Sequence, residues 1–156
     1  MSIALPLPDE AATVELGRRL ATLLRSGDLV VLVGELGAGK TTLTRGLGEG
    51  LGVRGPVTSP TFVIARRHPS LNAGPALLHV DAYRVGSAEE IDDLDLDDAD
   101  AVVVVEWGAG RVEHLADSRL EVTLVEVDAQ RRAEVEAFGP RWAGVTLSDV
   151  LSRDGA

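Results

Sequence analysis

Two rhythms of apolar residues alternate along this chain. Leu16, Leu20, Leu23 and Leu24 recur at helical spacing behind Asp9 and Glu10, which predicts an N-capped amphipathic helix ending near Gly27. DLVVLVG, Asp28 to Gly34, is a short β-branched run and predicts a buried strand. From Thr41 to Gly52, Leu43, Leu47 and Leu51 stand four apart and predict a second helix. Gly46, Gly48 and Gly50 each weaken that helix by about 1 kcal/mol relative to alanine. Packing, or a ligand at its start, must therefore hold it.

Further on, TFVIARR, Thr61 to Arg67, predicts a strand, and HPSLNAGP after it a turn-rich loop. Ala76–Asp81 and Ala101–Glu106 predict two more buried strands, each ending in a carboxylate. SAEEIDDLDLDDAD between them reads as a short acidic helix with a loop. Arg119–Val127 and Arg132–Phe138 alternate apolar and polar residues around DAQR, the pattern of an antiparallel hairpin with one face on the core. GPRWAGVTLSDVLS predicts a closing helix. Helices alternating with apolar strands define an α/β fold, and the late hairpin makes its mostly parallel sheet a mixed one. No repeat or linker divides residues 1–156, so one domain is expected, with a frayed tail from Asp154 to Ala156.

Composition narrows the function classes. Aromatic residues are 3% of the chain, so Leu, Val and Ala must build the core. No apolar run approaches the roughly 20 residues of a membrane span, and the N-terminus lacks the pattern of a signal peptide. There is no cysteine, which excludes disulfides and thiolate metal sites and fits a cytoplasmic protein. The formal charge of -10 disfavours nucleic-acid binding by the chain alone, because phosphate contacts need clustered Lys and Arg. A partner would have to supply a basic surface.

Fourteen of the fifteen basic residues are arginine, and Lys40 is the only lysine. It lies in GELGAGKTT, where Gly34, Gly39, Lys40 and Thr41 satisfy the phosphate-loop (P-loop) pattern between a strand and a helix. Glycines let the loop bring its N–H groups close to phosphate, and the helix start adds a partial positive charge. The expected phosphate contacts are Glu35, Leu36, Gly37, Ala38, Gly39, Lys40, Thr41 and Thr42. Lys40 would reach the β- and γ-phosphates, and the Thr41 hydroxyl would go to Mg²⁺. A tight loop around a triphosphate has room for the compact ammonium and none for the planar guanidinium. The bland alternative is a glycine-rich turn that binds nothing.

The base motif of regulatory GTPases is missing, because the one Asn, Asn72, is not followed by Lys. ATP is therefore the expected nucleotide. If their strands run parallel to Asp28–Val33, Asp81 and Glu106 emerge beside the loop. One would hold Mg²⁺ and the other would orient water or sense the γ-phosphate, and the pattern leaves the division open. Hydroxyls of Thr58, Ser59 and Thr61 in GPVTSPTF either approach the γ-phosphate as a switch-like segment or form an ordinary turn. His79 reads as a packed or hydrogen-bonded strand residue, and Trp107 as core or a stacking surface. The acidic run from Glu89 to Asp100 reads as a solvated face or a docking surface for a basic partner.

GELGAGKTTLTRGLGEGLG, VTSPTFVI, LLHVDAYR, EEIDDLDLDD and VVVVEW occur in this order, and together they resemble the bacterial TsaE (YjeE) family over about residues 5 to 150. That resemblance implies a P-loop ATPase with Mg²⁺ that supports N6-threonylcarbamoylation of adenosine 37 in tRNA. It would act with two partners, TsaD and TsaB, which carry out the transfer, and would meet tRNA only through that complex. By the same resemblance Lys40 and Thr41 carry the phosphate and metal roles. Glu106 is a metal-site carboxylate, and Asp81 a catalytic or water-positioning one. Ser59 and Thr61 lie in the switch-like loop, and the region from Asp9 to Thr13, with Glu10, lies near the adenine. One departure stands out: EWGAGR has Ala109 where the family often has an acidic residue. The alternatives are a small-metabolite kinase with a shikimate-kinase-like phosphate loop and a nucleotide-sensing adaptor without turnover. The chain has no Gly-Gly pair and no arginine-rich lid, which counts against the kinase.

Overall fold

A computed structural model describes residues 2–34, 39–55, 65–81, 100–106 and 117–151. Seven strands form one sheet: β1 (Ser2–Leu7), β2 (Leu29–Gly34), β3 (Ala65–His68), β4 (Ala76–Asp81), β5 (Ala101–Glu106), β6 (Arg119–Val127) and β7 (Gln130–Phe138). Their order across the sheet is β1-β7-β6-β2-β5-β4-β3. The central four, β6-β2-β5-β4, run parallel. Antiparallel pairs close both ends, β6–β7–β1 on one side and β4–β3 on the other. All six residues of β5 are buried, as a β-branched run at the middle of a parallel sheet should be. Helices α1 (Glu10–Leu23) and α2 (Lys40–Leu51) pack on the face that carries Val30, Leu32, Leu77, Val102, Val104, Leu120 and Val122, and the short α3 (Leu147–Leu151) joins them there.

The start of α1 is as read from the sequence: Asp9 caps it, accepting from the Ala12 N–H at 2.8 Å. The helix stops at Leu23, short of Gly27, because Leu24 already has extended backbone. Two of the glycines of α2, Gly46 and Gly50, are explained by the helix beside it. A Cβ on Gly17 of α1 would lie 2.5 Å from the Leu43 carbonyl oxygen, one on Gly50 would lie 2.5 Å from Ala21 Cβ, and one on Gly46 would overlap the Val14 carbonyl. The two backbones are in direct contact along this seam, and packing supplies what intrinsic propensity lacks. At its far end α2 closes on Gly52 in left-handed conformation, φ 72°. Asn72, the sole asparagine, donates to the Leu51 carbonyl at 3.2 Å and accepts from the Gly74 N–H at 2.6 Å.

Three readings need correction. β1 was not expected; Ile3, Leu5 and Leu7 alternate inward on it, and as an edge strand it tolerates Pro6. β7 begins at Gln130, two residues before the expected start, because Val127 pairs with Gln130 across a two-residue turn. The closing helix is broken into a 3-10 turn, Pro140–Trp142, and the five-residue α3, with Gly139 and Gly144 at φ 95° and 83°. Of the TFVIARR strand, β3 keeps Ala65 to Arg67 and adds His68, while Thr61 to Ile64 lie outside the described residues, as does the acidic segment up to Ala99.

Arg141, in the 3-10 turn, pairs with both oxygens of Asp28 at 3.1 Å, donates to the Leu23 carbonyl at 2.7 Å and stacks over Trp142 at 4.1 Å. This ties the end of the chain to the corner between α1 and β2. The hairpin turn is a weaker point. Asp128 and Ala129 sit at φ 52° and 62°, a type I′ geometry that favours glycine at the second position. Ala129→Gly is expected to raise stability by up to about 1 kcal/mol in urea unfolding, since relief of a left-handed alanine outweighs the freer unfolded chain. No gain would mean that the turn carries no strain.

Candidate functional site

The site is built at the carboxyl ends of the parallel strands. β2 ends at Gly34, and α2 begins at Lys40 after Gly39 in left-handed conformation, φ 103°. Among the described residues, a Cβ at Gly39 would meet Thr13 Cγ2 at 3.8 Å and Leu124 Cδ1 at 3.9 Å, both ordinary contacts, while its φ of 103° is one that favours glycine. Among the described residues no side chain caps the start of α2. Its first N–H groups and the positive end of its dipole are a geometry suited to an anion. Glu35 to Ala38 lie outside the described residues.

Lys40 is only 5% exposed, and its ammonium donates to the Gly34 carbonyl at 2.7 Å. Burial pushes the ammonium below the ordinary lysine value, and Glu106 and Asp81 pull it part of the way back. Those two carboxylates are direct partners in the β4–β5 register, and Glu106 is also level with Leu32 of β2. By strand alternation both share the helix-covered face with Leu77, Val102 and Val104, the face on which Lys40 sits. Lys40, Asp81 and Glu106, three residues from distant parts of the chain, thus converge. Thr41 and Thr42 stand half-buried in the first turn of α2 beside them.

A fourth group was not foreseen in this role. His79, fully buried on β4, has Nε2 2.6 Å from Oε2 of Glu106. The spacing H-x-D on a strand was the available signal, because it puts His79 and Asp81 on one face. His68 on β3 lies on that same face, with Nδ1 3.2 Å from the Arg54 carbonyl oxygen. Burial pushes the His68 imidazole below its usual value, against the opposing pull of that bond.

Comparison with known proteins decides the family. The sequence profile described as "Threonylcarbamoyl adenosine biosynthesis protein TsaE" matches residues 7–134. A protein of Streptomyces coelicolor named tRNA threonylcarbamoyladenosine biosynthesis protein TsaE is 62% identical over 142 residues, covering 86% of this chain and 96% of its own. Proteins of the same name from Mycobacterium tuberculosis and Bacillus subtilis are 51% and 37% identical, covering 78% and 94% of this chain and 77% and 90% of theirs. The chain belongs to the TsaE family. A crystal structure of Bacillus subtilis YdiB matches the fold with a TM-score of 0.76 at 30% identity, over 100% of this chain and 97% of that one.

In this TsaE-family chain the remaining expected positions divide. Glu10, exposed at the start of α1, is paired with Arg45 of α2 at 2.7 Å. Thr13, one turn further on, is the residue of that region nearest Gly39. Ser59, Thr61, Trp107 and Ala109 lie outside the described residues. Among those described, no helix is long and apolar enough to cross a membrane.

Proposed function

We propose that this TsaE-family chain is a Mg²⁺-dependent ATPase that serves tRNA N6-threonylcarbamoyladenosine formation as an accessory subunit to TsaD-like and TsaB-like partners in the cytoplasm. The observation that carries the ATPase reading is the convergence of Lys40, Asp81 and Glu106 at an uncapped helix start. Family membership supports the role in threonylcarbamoyladenosine biosynthesis. The donor set fits a hard divalent cation with phosphate: hydroxyl, carboxylate, and no thiol anywhere in the chain.

In this reading the N–H groups of residues 35–42 cradle the phosphates, and Lys40 exchanges its bond to the Gly34 carbonyl for one to phosphate oxygen. Thr41 and Glu106 hold Mg²⁺, and Asp81 orients the attacking water. Bound Mg²⁺ neutralises charge on the phosphate oxygens. Ser59 and Thr61 would offer hydroxyls on the γ-phosphate side, and the segment from Asp9 to Thr13 lies toward the adenine. The chain's acidity is consistent with reaching tRNA only through its partners.

The test is phosphate release from ATP by the chain alone, with the partner pair, and with the pair plus tRNA. Slow turnover that rises with the pair is expected; turnover indifferent to the pair would overturn the subunit role. Within the same assay, Asp81→Ala and Glu106→Ala should each lower turnover about tenfold or more while changing nucleotide affinity far less. Normal hydrolysis by both variants would remove the site assignment.

A further inference from the structure

His79 is enclosed completely, yet it is polar, and among the described residues its side-chain hydrogen bond is to Glu106. A carboxylate oxygen only accepts, so Nε2 carries the hydrogen and donates. Among the described residues Nδ1 is buried with no partner. The opposite tautomer would set two lone pairs against each other at 2.6 Å and bury an orphaned N–H, the rarer kind of unpaired group. The ring thus leaves one edge unsatisfied and keeps the bond to Glu106. A residue chosen only to fill this space would be apolar, as Leu77 and Val104 on the same face are.

Glu106 has the opposite need. Its carboxylate ends a strand at the mouth of the site, on a side chain with three rotatable bonds. Residues that hold a metal ligand by its second atom fix its orientation and tune its affinity. We propose that His79 is a positioning residue for Glu106: its Nε2–H takes up Oε2 and leaves Oε1 as the oxygen offered to the metal. His68 supports the same arrangement from β3. Its Nδ1 is bound to the Arg54 carbonyl and so must donate, which leaves its own Nε2 a buried lone pair. Of the two rings, His79 is the one that places an N–H against Glu106.

This inference rests on Glu106 serving the metal as set out under Proposed function. The test uses Mn²⁺ as the probe, its binding to the protein–ADP complex read by electron paramagnetic resonance. ADP affinity in EDTA and the thermal midpoint are recorded beside it. His79→Leu removes the donor at similar volume, and His79→Gln returns an N–H at the reach of Nε2. Mn²⁺ affinity is expected to fall about tenfold or more in His79→Leu and to return to within about threefold of the parent in His79→Gln, with metal-free ADP affinity unchanged in both. Parent-like Mn²⁺ affinity in His79→Leu would overturn the proposal. So would equal losses in both variants accompanied by loss of metal-free ADP binding, the mark of a structural role. If His79→Leu does not fold, His79→Asn, one carbon short, takes its place against His79→Gln; equal behaviour of the two would overturn the proposal. A parent protein that binds no ADP would overturn the nucleotide reading as well. Normal ADP and Mn²⁺ binding by parent and His79→Leu alike would remove only the role of His79.

Discussion

Lys40→Met will lose ATP turnover by about 100- to 1,000-fold and yet unfold at no lower temperature than the parent at pH 7. Both halves come from one side chain. The loss of turnover follows from removing a fixed, buried positive charge from the place where phosphate charge shifts. The retained stability follows from the direction of the lysine shift. Its folded value lies below the ordinary 10.5, with burial the largest cause. The attraction of Glu106 and Asp81 is already included in that net direction. A depressed lysine makes the charged form a cost to the fold at every pH below the depressed value. The cost fades as pH climbs from there to 10.5. Methionine, of similar length and uncharged, removes it, so any gain in thermal midpoint is present at pH 7 and vanishes in alkali. Lys40→Arg keeps the charge and should lose activity too, because the space beside the Gly34 carbonyl suits an ammonium. Phosphate release and thermal melts across pH check all of this. A methionine variant that retains half its turnover would end the phosphate role, and an active arginine variant would end the steric one.

Gly46→Ala should destabilise the chain by about 1–3 kcal/mol in urea unfolding, although helix propensity alone predicts a gain of about 1 kcal/mol. The sign is decided by Val14, whose backbone carbonyl occupies the space a Cβ would need. Backbone cannot move aside as a flexible side-chain end can, so α1 and α2 must separate. Because α2 begins at Lys40, the separation should also weaken nucleotide binding. A variant more stable than the parent would show that the two helices do not meet at this seam.

The sequence makes some of this legible and hides the rest for identifiable reasons. β4 and β5 have the bounds expected from Ala76–Asp81 and Ala101–Glu106, and β2 differs only in lacking Asp28. Buried parallel strands are continuous apolar runs with sharp ends, so their boundaries are local information. The meeting of Lys40, Asp81 and Glu106 was foreseeable on the same basis: parallel strands deliver their carboxyl ends to one edge. β1 was hidden because its partner is not local; Ser2 pairs with Glu136. The bond between His79 and Glu106 was hidden because it needs the register of two strands and the rotamers of two side chains. Gly46 and Gly50 read as weakness because only the neighbouring helix can show what they are for. The closing helix expected over GPRWAGVTLSDVLS failed on length, since Gly139, Pro140 and Gly144 interrupt it.

The order of strands across the sheet also has a consequence for biosynthesis. β1 is made before every other described strand, yet β7, its one partner, is made after all of them. β2 likewise waits for β5 and β6. On a translating ribosome the sheet therefore cannot assemble strand by strand, and its closure carries the slow, long-loop penalty of non-local pairing. The α1–α2 pair, joined along its glycine seam, is synthesised early, with α2 complete at Leu51. The nascent chain can thus hold the two helices that frame Lys40 before Asp81 and Glu106 have a sheet to stand on.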